Sequence, residues 1–137
     1  MEAHEHDVRS QIIALEQGAL ERWCQGDPSR CLELSAPDVV YFDPFIDRRI
    51  DGIDALGAYY ARLRGKIFAK DFELINPVVQ LGHGIAVLTF NYRCSRNDGT
   101  EQRWNCTEVY RHDGDDGWRI IQTHWSLTNP MRSGTTA

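Results

Sequence analysis

The sequence predicts an α+β fold: a strongly curved antiparallel sheet, cone-shaped, closed on one side by three helices from the N-terminal half. Three observations predict it. Apolar residues recur at helical spacing only in the stretch before Gly65. After it, side-chain character alternates with the two-residue period of strands, interrupted by turn residues at His83-Gly84, Asn97-Asp98-Gly99 and Asp113–Gly117. The length of 137 residues, with 42% hydrophobic and 26% charged residues, suits a single domain spanning 1–137 that buries its own core.

Val8, Ile12, Leu15, Ala19 and Trp23, widened by Ile13 and Leu20, form the stripe of a first helix, with Asp7 as N-cap and Gly26 as stop. Asp27-Pro28 restarts a short helix, because proline at the first helical position gives up an N–H that has no partner there. It ends before Pro37. Val39 to Asp43 is a β-branched and aromatic run stopped by Pro44, and Arg48-Arg49-Ile50 is expected to pair back on it. Ile53, Leu56, Tyr59, Tyr60 and Leu63 make the third helix, closed by Gly65. Four strands follow: Phe68–Gln80, bent at Pro77, then Ile85–Ser95, Thr100–His112 and Trp118–Leu127. Residues 1–7 and 130–137 are polar and are expected to be frayed tails.

Strand parity divides the last three strands into two faces. Ala86, Leu88, Phe90, Tyr92 and Cys94, then Trp104, Cys106, Glu108 and Tyr110, then Trp118, Ile120, Gln122, His124 and Ser126 form an apolar set expected to meet the helices. The opposite set carries arginines with Val109, Ile121 and Trp125 among them. Tryptophan and arginine are enriched at protein interfaces, so a homodimer through this face is expected.

The net charge of −5 and pI near 5.5 disfavour nucleic-acid and membrane partners, both of which select basic surfaces. An acidic, polar N-terminus and no long apolar run make cytoplasmic the expectation. Cys24, Cys31, Cys94 and Cys106 lack metal-ligand spacing and read as free thiols. No metal and no cofactor is expected, since H-E-x-x-H, a glycine-rich phosphate loop and G-x-S-x-G are all missing from the sequence.

The order helix, short helix, strand, helix, long meander resembles the nuclear transport factor two-like superfold from Val8 to Ser126. Ala19–Asp27, Val39-Val40-Tyr41-Phe42-Asp43-Pro44 and Gly52-x-x-Ala55-Leu56-x-x-Tyr59-Tyr60 resemble ketosteroid isomerases and SnoaL-like polyketide cyclases. Thr107-x-Val109-Tyr110 through Gly117-Trp118-Arg119-Ile120 to His124-Trp125-Ser126 resembles the association domain of calcium/calmodulin-dependent kinase II. This superfold hosts enzymes, carriers and assembly modules alike.

Asp43 holds the Asp-Pro position that matches the isomerase general base; in its bland reading it merely opens a turn. Glu108 interrupts an apolar face, and a carboxyl there must be paired or protonated unless the register slips by one. The resemblance puts a neutral aspartic acid of the isomerases at that position, and an arginine of the kinase domain. His124 is read as a proton shuttle or partner of Glu108, or equally as a buried structural histidine. Tyr41, Phe90, Tyr92, Trp104, Cys106, Tyr110 and Gln122 are expected to line a pocket for a small hydrophobic molecule. Ala19 stands where the isomerase resemblance calls for a tyrosine. Two functions follow: cofactor-free acid–base catalysis (isomerisation, cyclisation or dehydration) on a small hydrophobic carbonyl compound, or a non-catalytic binding or assembly module.

Overall fold

The computed structural model describes residues 2–129. Three helices, α1 (Glu2–Trp23), α2 (Ser29–Glu33) and α3 (Ile53–Leu63), pack on one side of a curved six-stranded sheet. The strands are β1 (Ser35–Phe42), β2 (Ile50–Asp51), β3 (Asp71–Gly82), β4 (Ile85–Ser95), β5 (Glu101–His112) and β6 (Trp118–Leu127), in the order β2-β1-β6-β5-β4-β3. Every neighbouring pair is antiparallel except β1 with β6, which run parallel. The long chain excursion from β1 to β6 makes that pairing possible, and short-range sequence signals do not report it.

The first helix begins earlier than its cap residue suggested. Asp7 lies inside α1 rather than at its start, and residues 2–7, expected as a frayed tail, are helical. The expected C-terminal tail, 130–137, lies outside the described residues. Asp27 does serve α2: its Oδ1 accepts the Ser29 amide at 3.0 Å, and Arg22 and Arg64 bind the same carboxylate. Gly26, at φ +84°, turns the chain out of α1 in a conformation that side chains with a Cβ resist. The Phe68 ring packs so closely on it that an added Cβ would lie 2.8 Å away.

Two irregularities shape the sheet. The first is in β3, where Asn76 has φ +55° beside Pro77, and the register with β4 shifts between Ile75 and Val78. This is the expected bend. The second is a β-bulge in β6. Val109 faces Gln122 while Tyr110 faces Ile120, so Ile121 is an extra residue with no partner of its own on β5. Beyond the bulge every side chain of β6 points to the opposite face from the one simple alternation assigns.

The core lies between the sheet's concave face and the helices. Val8, Ile12, Ala19, Leu20 and Cys24 of α1 pack with Leu56 and Tyr60 of α3 and with Ala86, Leu88, Phe90 and Tyr92 of β4. The β5 residues Cys106, Glu108 and Tyr110 are buried as expected, and on β6 the buried residues are Ile120 and Thr123. Among the described residues no helix is long and apolar enough to cross a membrane.

Candidate functional site

A cavity of about 520 Å³ opens between the helices and the sheet. Aromatic rings form much of its wall: Trp23, Tyr41, Tyr59, Tyr60, Tyr92, Trp104 and Trp125 line it, with the exposed Phe45 and Phe68. Three carboxyls interrupt these walls, those of Asp43, Glu108 and Glu16.

Asp43 follows the last residue of β1, two positions past buried Tyr41. Its two oxygens have separate tasks. Oδ1 accepts the Phe45 amide at 2.8 Å, which tightens the turn at Pro44. Oδ2 accepts the hydroxyls of Tyr41 at 2.8 Å and Tyr59 at 2.6 Å. The turn-capping and cavity readings are both realised in one side chain. Burial, with the neighbouring Tyr60 and Asp43, raises the Tyr41 phenol well above its ordinary range; burial and Asp43 also raise Tyr59. Both phenols therefore stay protonated and remain donors.

Glu108 sits at the middle of β5, 4% exposed. Burial pushes its carboxyl well above the carboxylate range, and the neighbouring Glu16 pushes it further. Its Oε1 has no hydrogen-bond partner. Glu16 reaches it from α1, 2% exposed, and accepts the Tyr110 hydroxyl at 2.7 Å through Oε1. Burial raises Glu16 as well, against the lowering effect of hydrogen bonds from Glu108 and Tyr110.

The structure brings Asp43, Glu108, Tyr41, Tyr92 and Trp104 to the cavity wall. Phe90, Cys106 and Tyr110 are buried just behind it: Phe90 meets Trp125 edge-on at 5.8 Å, and Tyr110 holds Glu16. Two residues expected in the pocket are elsewhere. His124 faces Thr107 on the outer side of the sheet, exposed, with its ring 5.0 Å from Phe42. Gln122 likewise faces Val109 on the outer side. The bulge at Ile121 is the cause, and it delivers Thr123 and Trp125 to the cavity in their place. Trp125 is thereby lost from the outer surface where it was expected.

Sequence reasoning missed Glu16. The signal was present: Glu16 lies one turn after Ile12 and three residues before Ala19, in the middle of the buried stripe of α1. A carboxyl there is as exceptional as one on the inner face of β5.

The description SnoaL-like domain matches residues 17–122. The chain belongs to the SnoaL-like domain family. A solved structure of a candidate ketosteroid isomerase from Parabacteroides distasonis is 44% identical, with 90% of each chain covered and a TM-score of 0.83. A nuclear transport factor 2-like protein from Pseudomonas putida is 24% identical over 93% of this chain and 92% of its own, with a TM-score of 0.81. The calcium/calmodulin-dependent kinase II hub of S. rosetta is 19% identical over 88% and 96%, with a TM-score of 0.69, a likeness of fold. The comparison with curated proteins found no match. In this SnoaL-like chain the helix α1 offers its cavity a carboxyl from Glu16, one turn before the buried Ala19.

Proposed function

We propose that the cavity performs cofactor-free acid–base chemistry on a small hydrophobic carbonyl compound. One observation carries this: two carboxyls with contrasting surroundings share one aromatic cavity. Asp43 is half-buried and bound by three donors, whereas Glu108 is buried, raised and short of a partner. Pairs of titratable groups driven apart by their environments mark acid and base roles. Asp43 takes the proton α to the carbonyl, and the C–H electron pair forms the enolate double bond. The negative charge that moves to oxygen accepts a hydrogen bond from protonated Glu108. Return of the proton to another carbon is isomerisation, and attack of the enolate on an electrophile is cyclisation. Likeness to the candidate isomerase supports the reading.

The test needs no knowledge of the natural substrate. Exchange of the α-protons of 2-tetralone in heavy water, followed by NMR, reads the first step alone. The native protein should accelerate it, and Asp43→Asn should lower the catalysed rate by roughly 10²–10⁴-fold, the worth of a general base, with the fold intact. Equal rates for native and Asp43→Asn protein sink the assignment.

A further inference from the structure

We propose that Glu16 and Glu108 act as one unit, a carboxyl pair that holds a single proton between them, with Glu16 positioning and Glu108 donating to the ligand. Glu16 on α1 and Glu108 on β5 face one another across the helix–sheet interface, both buried, with a carboxyl oxygen of each and the Cys106 thiol within 4.8 Å of one another. Two ionised carboxylates this close repel one another and would both be buried without a cation, so at least one of them holds a proton.

Nothing nearby substitutes for that proton. The titratable groups facing the pair are Cys31 of α2, Tyr60 of α3, and Cys106 and Tyr110 of β5. Burial holds each of these in its neutral form. From β6 the pair meets the hydroxyl of Thr123. Among the described residues no lysine, arginine or histidine makes an ion pair with either glutamate.

The proton and the charge have distinct places. The Tyr110 hydroxyl at 2.7 Å supports negative charge on Glu16. Glu108 lines the cavity, while its Oε1 is buried with no hydrogen-bond partner. A buried oxygen without a partner disfavours the ionised form of its carboxyl, which places the proton on Glu108.

This deepens the acid–base reading, on which its catalytic consequence rests, by restricting the class of reaction. If the Glu108 proton left on a departing hydroxyl, two buried carboxylates would remain side by side with no cation. If the ligand oxygen stays and only strengthens its hydrogen bond as it gains charge, the pair keeps its proton throughout. The pair therefore favours isomerisation or cyclisation through a retained enolate oxygen over loss of water. The ligand it selects presents a carbonyl or an acidic hydroxyl at its head.

Infrared spectroscopy with isotope-labelled glutamate tests the pair without any substrate. At neutral pH the native protein should show one protonated glutamate carboxyl per chain. Glu16→Gln removes the neighbouring charge, so Glu108 should release its proton at lower pH than in the native chain. Tyr110→Phe withdraws support from the Glu16 charge, so the second protonation should begin at higher pH than in the native chain. These shifts run in opposite directions, which a general loosening of the core does not produce. In 2-tetralone exchange, Glu16→Gln should move the alkaline limit of the pH profile to lower pH. Zero or two protonated glutamates in the native protein, or both variants shifting the same way, overturn the proposal. A single proton with the expected shifts but no exchange upholds the pair and refutes the proposed catalysis. Exchange without the single proton does the reverse.

Discussion

Replacing Glu108 by Gln should change how stability depends on pH more than it changes stability itself. Two charges within 4.8 Å repel by about 3–4 kcal/mol at an effective dielectric constant near 20, before any cost of burial. The folded chain therefore retains a proton that the unfolded chain releases near 4.5, the ordinary range of a glutamate carboxyl. The sign follows from the proton count: over this window the native state binds one more proton, so stability falls as pH rises. It is fully present below about pH 4.5 and is lost progressively up to the raised folded value. One retained proton corresponds to a slope of ~1.4 kcal/mol per pH unit, so between pH 5.5 and 7.5 the native chain should lose stability at up to that rate from this source. In Glu108→Gln the amide donates to Glu16 without titrating, and the slope should fall to less than half. Urea denaturation at intervals across that range measures both slopes. Parallel curves for the two proteins would show that the pair retains no proton.

Three other outcomes are expected. Gly26→Ala forces a left-handed backbone onto alanine and drives its Cβ toward Phe68, costing about 1–3 kcal/mol; thermal denaturation checks it, and an unchanged midpoint refutes it. Cys24, Cys31, Cys94 and Cys106 are free thiols whose ionisation burial suppresses; all four should react with a thiol reagent in denaturant without reductant, and at a much slower rate in the folded protein. We also infer that two copies pair through the outer sheet face, where Val87, Val109 and Val40 run abreast with Gln122 between the last two; sedimentation should show a dimer at micromolar concentration and a monomer for Val109→Arg.

The fold was legible because its local signals agree with one another. Turn residues bound β4 and β6 where the structure begins and ends them, and the periodicity of Ile53–Leu63 is that of α3. The start of α1 was not legible, because a good cap residue at Asp7 competes with a polar stretch that itself propagates helix. In the candidate site, Asp43 and Glu108 were readable as carboxyls out of place in apolar surroundings. Glu16 was equally out of place, but an apolar stripe counted by its hydrophobic members passes over a polar one. His124 and Gln122 were misplaced for a different reason. Parity carries no error correction, so one unpaired residue at Ile121 reverses every assignment after it.

That single residue also gives β6 a distinctive mutational grammar. Along an uninterrupted strand, tolerance to polar substitution rises and falls in fixed step, odd positions against even. Here the step inverts at Ile121: the even-numbered Ile120 and the odd-numbered Thr123 are both buried and should resist polar substitution, while the exposed His124 should accept it. Excising Ile121 would remove the bulge yet leave Gln122, Thr123 and Trp125 opposite Val109, Glu108 and Cys106, whereas pairing Ile121 with Val109 would slide the C-terminal half of the strand into the opposite phase, exchanging the Trp125 indole in the cavity wall for the His124 imidazole. A change of pairing at this one point is thus a shorter route to a new cavity lining than any accumulation of point substitutions along the strand.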